Sequence, residues 1–191
     1  VRWSYAELQA QANRIAHVLV EDMGLVPGQR VLLRGANSPM LAACWFAVVK
    51  AGGIAVGTMP LLRARELVAI AQKAQVSHAL VDARLAEEFD LALPQCPTLR
   101  QVRRFGSAAD AVAAAAPDSL QALAARKPAT FANVDTAADD VCLLAFTSGT
   151  TGVPKAAMHF HRDVMAACAC WPPHVLRATQ DDVFIGSPPL A

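Results

Sequence analysis

The chain has 191 residues and a formal net charge of +1, with 54% hydrophobic and 17% charged residues. That supply of apolar side chains builds a core and excludes wholesale disorder; the near-neutral charge, without a basic block, argues against nucleic-acid binding. No uninterrupted apolar run approaches the ~18 residues of a membrane span.

The length suits one domain or most of one. The start, Val1-Arg2-Trp3-Ser4-Tyr5, lacks the basic and apolar regions of a signal peptide and also lacks a methionine. The chain is therefore expected to be a piece of a longer protein. Trp3 to Leu8 opens a helix, because Ser4 and Glu7 have capping-box spacing and Trp3 with Leu8 forms the staple. Leu8, Ala12, Ile15, Ala16 and Leu19 share one helical face until Gly24. Pro27-Gly28 turns the chain into a strand, Val31-Leu32-Leu33.

Asn37-Ser38-Pro39 supplies caps and a first-turn proline for a buried helix from about Met40 to Lys50. Gly52-Gly53 stops it. Ile54-Ala55-Val56 is the next strand, ended by Met59-Pro60, and a helix follows from about Ala64 to Gln75. His78-Ala79-Leu80-Val81 is a strand with Asp82 capping a short helix, and His78 reads as a strand-edge histidine rather than a catalyst. Strands alternating with helices at this pitch predict a helix-flanked, parallel α/β sheet, whose ligands sit at the carboxyl edge.

The pattern weakens between Leu91 and Thr136. Leu99 to Arg103 reads as a strand, Ala108 to Ala116 as an alanine-rich helix and Ser119 to Arg126 as another helix. Arg100, Arg103 and Arg104 form the one basic cluster, expected on a solvated strand edge. Cys44, Cys96, Cys142, Cys168 and Cys170 have no paired spacing and read as reduced thiols of a cytoplasmic protein. His159, His161, Cys168, Cys170 and His174 lie close in sequence, but Cys-x-Cys and His-x-His miss the usual zinc spacings, so no metal site is assigned.

Val141-Cys142-Leu143-Leu144-Ala145 reads as a buried strand leading into Phe146-Thr147-Ser148-Gly149-Thr150-Thr151-Gly152-Val153-Pro154-Lys155. From Thr147 to Lys155 there are four hydroxyls, two glycines and a lysine within nine residues. Glycines let the backbone turn and present N–H groups to an anion, hydroxyls add donors and lysine adds a compact positive charge. This composition is a phosphate cradle. It is not the nucleoside-triphosphatase loop, because only two residues separate Gly149 from Gly152 and Ala156 follows the lysine. Ala156 to Phe160 is expected to return as a strand, making a hairpin with the cradle at its tip. A helix then starts near Arg162 or Asp163 and ends at Pro172-Pro173, and Val183-Phe184-Ile185 forms a final strand.

Thr-Ser-Gly-Thr-Thr-Gly-x-Pro-Lys resembles the signature loop of the adenylate-forming superfamily: acyl- and aryl-CoA ligases, peptide-synthetase adenylation domains and luciferases. Trp3 to Leu8 with Asn13-Arg14 behind it, and Lys50-Ala51-Gly52-Gly53, are similar to further motifs of that family. Ala156 stands where the family usually has glycine, and His161 matches a family histidine six residues past the lysine. His159 to Asp163 and Gly186-Ser187-Pro188-Pro189-Leu190 most resemble the benzoate and 2-aminobenzoate CoA ligases.

The resemblance implies an α/β fold: the helix-flanked, largely parallel sheet of the family's large N-terminal ATP-binding domain. Residues 1–191 would be its leading part, with the small C-terminal domain beyond. It implies two steps. A carboxylate attacks the α-phosphate of MgATP to give acyl-adenylate and pyrophosphate, and CoA thiol then displaces AMP to give the thioester. ATP, Mg2+ and CoA are the implied reactants, and the acid would be small, aromatic on the narrower likeness. Thr147, Ser148, Gly149, Thr150, Thr151, Gly152 and Lys155 are assigned to the ATP phosphates, and His161 to support of the loop. No catalytic residue is assigned. The family's later adenine, magnesium and ribose motifs have no place in this chain, so it is not expected to complete either half-reaction alone. Two other readings stand beside this one: a peptide-synthetase adenylation domain loading a carrier thiol, and a non-catalytic ATP- or anion-binding module. The specific acid and the oligomeric state are not fixed by the sequence.

Overall fold

Ser4 caps the first helix as its spacing predicts. Its hydroxyl accepts from Glu7 N at 3.2 Å, and Glu7 Oε2 accepts from Ser4 N at 2.6 Å, closing the capping box. The computed structural model describes residues 2–106, 116–147 and 154–186. Helix α1 spans Tyr5–His17 and runs on as a π turn, Val18–Asp22, with Trp3 and Leu8 packed against the core. The chain continues through β1 (Arg30–Arg34), α2 (Pro39–Lys50), β2 (Ile54–Thr58), α3 (Ala64–Ala74), β3 (His78–Asp82), α4 (Ala86–Ala92) and β4 (Gln101–Phe105). After α5 (Leu120–Ala124) come β5 (Val141–Thr147), β6 (Lys155–Phe160) and α6 (His161–Cys170).

The strands form one six-stranded sheet in the order β4-β3-β1-β2-β5-β6. All neighbours are parallel except β5 and β6, which are antiparallel. β2 lies on one side of β1 and β3 on the other, so right-handed crossovers put α2 and α3 on opposite faces. The core records this as two layers. Val31, Leu33, Leu80 and Phe105 join the cluster that includes α2 and α5, whereas Leu32, Val56, Ala79 and Val81 join that of α3 and α4. Alternate strand residues thus serve alternate faces.

Gly52 makes the tight turn between α2 and β2 with a φ of 72°, and a Cβ there would lie 2.9 Å from Val134 Cγ1. Both the backbone sign and the contact require glycine. Gly52→Ala is expected to lower unfolding free energy by about 2 kcal/mol, read from the urea midpoint.

Several expectations change. His78 is not at an edge: it begins an interior strand and is 3% exposed. It meets Ser77 Oγ at 2.8 Å through Nδ1 and Met23 O at 3.0 Å through Nε2, and burial lowers its pKa. β5 is half-buried, with only Cys142 fully covered, because antiparallel β6 beside it is itself largely exposed. α6 gives way at Pro172-Pro173 to a π turn, Trp171–Leu176. Val183-Phe184-Ile185 forms no strand: it finds no ladder partner among the described residues, and Val183 and Ile185 are 88% and 95% exposed. The alanine-rich helix expected over residues 108–116 falls almost wholly outside the described residues, as does the 187–191 part of the chain's last motif.

Candidate phosphate-binding hairpin

The returning strand forms as expected. β5 and β6 pair antiparallel from Leu143↔His159 to Thr147↔Lys155, with a register irregularity between Val141 and Leu143. Thr147 and Lys155 are therefore the last facing pair among the described residues. Ser148, Gly149, Thr150, Thr151 and Gly152 lie outside the described residues. Thr147 and Lys155 are both exposed. Among the described residues Lys155 forms no ion pair, so no carboxylate there neutralises it.

Parallel pairing fixes the edge of the sheet at which Thr147 stands. β5 meets β2 at Ala55↔Leu143 and Val56↔Leu144. Continuing that register sets Thr58, the last residue of β2, level with Phe146, so Thr147 stands beyond the carboxyl end of its neighbour. That is the edge at which open α/β sheets bind ligands. Among the described residues, Ala145, Phe146 and Thr147 pair with β6 and not with β2.

His161 begins α6 immediately after β6, and its N–H donates to Asp140 O at 3.1 Å. Asp163 Oδ2 accepts from Phe160 N at 2.9 Å, closing the helix start, and Arg162 pairs with Asp139 and stacks over Phe160 at 5.0 Å. His161 thus sits at the root of the hairpin, at the end of β6 away from the tip, so the structure separates it from Thr147 and Lys155.

The sequence reading missed Arg34, at the carboxyl end of β1. The residue is 1% exposed and its guanidinium donates to four carbonyls: Leu85 O at 3.0 Å, Leu62 O at 3.0 Å, Pro60 O at 3.3 Å and Met59 O at 3.4 Å. Burial lowers its pKa, opposed by the Glu88 carboxylate. Thr58 Oγ1 donates to Leu33 O at 2.9 Å, and buried Asp82 accepts Arg84 at 2.7 Å and 3.1 Å. Together these bonds tie the loops after β1, β2 and β3 into one rim. A charged residue closing the apolar run Val31-Leu32-Leu33 was the signal available. A cleft of about 240 Å³ opens at this rim, lined by Arg34, Leu62, Arg63, Arg84 and Glu88 among others; neither Thr147 nor Lys155 lines it.

The basic cluster divides: β4 is an edge strand, Arg104 pairs with Asp90 at 2.6 Å, and Arg103 Nε finds no partner among the described residues. Cys168 and Cys170 are exposed and Cys44, Cys96 and Cys142 buried, all as free thiols. Burial pushes the Cys44 thiol far up, which makes it an inert core residue. Among the described residues no three His, Cys, Asp or Glu side chains come together that could hold a metal, and no helix is long and apolar enough to cross a membrane.

Comparison with known proteins bears on this geometry. A family model described as AMP-binding enzyme matches residues 1–191. The long-chain-fatty-acid–CoA ligase FadD13 of Mycobacterium tuberculosis is 32% identical over 176 residues, covering 90% of this chain and 32% of the relative. The benzoate–CoA ligase of Thauera aromatica is 27% identical over 188 residues, covering 98% of this chain and 34% of the relative. The crystal structure of ATP-bound MatB from Rhodopseudomonas palustris superposes with a TM-score of 0.82 at 30% identity, over 97% of this chain and 35% of that one. The chain thus spans about a third of the length of the relatives it matches.

Proposed function

Because the chain belongs to the AMP-binding enzyme family, we propose that it is the leading part of the large ATP-binding domain of an AMP-forming acid–thiol ligase. The parent reaction would join a carboxylic acid to ATP as acyl-adenylate with release of pyrophosphate, then pass the acyl group to CoA. The observation that carries this reading is the hairpin. Its sequence supplies a run of donors between Thr147 and Lys155, and its register sets Thr147, where that run begins, beyond the carboxyl end of β2.

Pyrophosphate leaves with charge accumulating on its oxygens. Donors fixed in advance stabilise that charge without having to reorganise during the step. Thr147, Ser148, Gly149, Thr150, Thr151, Gly152 and Lys155 are the residues we assign to the β- and γ-phosphates, and His161 supports the hairpin from its root. Mg2+ would enter with the nucleotide. The similarity to a benzoate–CoA ligase favours an aromatic acid. A cytoplasmic location belongs to the same proposal, supported by the unpaired, exposed Cys168 and Cys170.

Carboxylate-dependent ATP–pyrophosphate exchange by the complete protein tests this reading, with benzoate, 2-aminobenzoate, acetate and amino acids as the acids. Exchange with an aryl or acyl acid, followed by thioester formation with free CoA, is the expected result. Exchange with an amino acid and transfer only to a carrier-protein thiol would assign the enzyme to the peptide-synthetase type. ATP binding without exchange on any acid would overturn the ligase reading.

A further inference from the structure

α1 and α2 pack side by side, and a groove of about 230 Å³ opens where they meet. Tyr5, Leu8, Gln9 and Ala12 line it from α1, and Phe46 and Lys50 from α2. The spacing explains the grouping. Tyr5 and Gln9, Leu8 and Ala12, and Phe46 and Lys50 are each four residues apart, so each pair shares a helix face. Ala12 is buried, whereas the rings of Tyr5 and Phe46 belong to residues 92% and 46% exposed. Trp45 stands edge-on to Phe46 at 5.3 Å, which braces that wall of the groove.

Lys50 is the last residue of α2 and is half-buried. Among the described residues its ammonium forms no ion pair, and the partial negative charge at the carboxyl end of α2 is what offsets it. The acids of α1 and its π turn are committed elsewhere. Glu7 closes the cap with Ser4, and Glu21 and Asp22 hold Lys127. None of the three lines the groove. A cation without a carboxylate and two exposed rings thus border one cavity.

We propose that this groove binds a small organic carboxylate, its anion on Lys50 and its apolar body between Phe46 and Tyr5. Each half of such a ligand answers one half of the site. The carboxylate gives the ammonium a charge-assisted partner, and the ring or short chain takes the exposed aromatic surface out of water. An inorganic anion would leave the rings wet, and an uncharged ring would leave the ammonium unpaired. The volume lies below the range of about 300–1,000 Å³ usual for drug-sized ligands, so it suits a single ring or a short chain. α2 begins after β1 at the carboxyl edge of the sheet and ends before β2 at the opposite edge, so Lys50 lies away from Thr147. The inference does not rest on the ligase reading.

Tyr5 is the only tyrosine of the chain, so 3-fluorotyrosine places a single fluorine resonance at this groove. Benzoate added to the 191-residue chain, without ATP, is expected to shift that resonance saturably, with a Kd of about 1 mM. Benzyl alcohol lacks the charge and acetate lacks the ring, and each should bind at least about tenfold more weakly. Lys50→Met keeps the apolar stem without the charge and should weaken benzoate about tenfold, while Lys50→Arg should stay within about threefold of the wild type. The proposal is overturned by the absence of a saturable shift below about 20 mM benzoate, or by equal affinity in Lys50→Met. It is also overturned by an acetate shift matching that of benzoate, which is a salt effect. A resonance that moves with protein concentration alone would give the groove to a second copy of the chain, and equally overturns it.

Discussion

Lys155→Ala in the complete enzyme is expected to lower kcat/KM for ATP by about 10²-fold, corresponding to about 3 kcal/mol of transition-state stabilisation. Lys155 is the first residue of β6 and faces Thr147 across the last pair of the hairpin. With no acidic partner among the described residues, its charge is uncommitted and turned toward solvent. On the proposed reading, an ammonium held there would act on pyrophosphate oxygens as they gain charge, an interaction stronger in the transition state than in bound ATP. The loss should therefore appear in the adenylation step. Thioester formation from preformed acyl-adenylate and CoA should be unaffected, since pyrophosphate has already gone. Lys155→Arg keeps the charge but alters its reach and shape, and should recover part of the activity. Wild-type kinetics for Lys155→Ala at subsaturating ATP would remove this residue from the phosphate site.

Arg34→Met should destabilise the chain by about 4 kcal/mol, read from a lower urea midpoint at unchanged slope. Methionine fills much of the volume but offers none of the N–H groups that now serve four carbonyls. Two of those bonds are 3.0 Å long and account for most of the cost, while the contacts at 3.3 Å and 3.4 Å contribute less. A buried carbonyl stripped of its donor loses its hydration without replacement. Arg34→Lys supplies one ammonium where a planar fork spans several acceptors, so it should recover less than half of the loss. A loss below about 1 kcal/mol for Arg34→Met would mean that water reaches those carbonyls.

The contrast between these two positions shows what was legible in the sequence. Lys155 was found because its neighbours carry the signal: an apolar run, a donor-rich glycine loop and a return run, all within a few residues. The order of helices and strands was legible for the same reason, since caps such as Ser4, Ser38 and Ser119 act on groups within one turn of themselves. Arg34 was not found, because its acceptors lie 25 to 51 residues downstream and meet it only once the rim has assembled. Val183-Phe184-Ile185 shows the opposite error. β-branched and aromatic residues announce a strand, but a strand exists only where another offers its ladder, and no local pattern contains that partner. His78 was read by type rather than place: position between β1 and β4 makes it interior, and nothing within its own segment says so.

The way β5 parts from the ladder of β2 has a mechanical consequence. Ala145, Phe146 and Thr147 extend about 10 Å past the last rung shared with the parallel sheet, at about 3.3 Å per residue. The outer hairpin is therefore an overhang: clamped by backbone pairing at Leu143 and Leu144, and held beyond them by β6 and by Phe146 against the α3–α4 core layer. Two-stranded ribbons twist more readily than strands braced on both sides. A load applied at Thr147 and Lys155 bends the overhang about that clamp, and Phe146 carries the strain into the α3–α4 core layer. Compliance is thus greatest at the last facing pair, and rigidity is kept at the root.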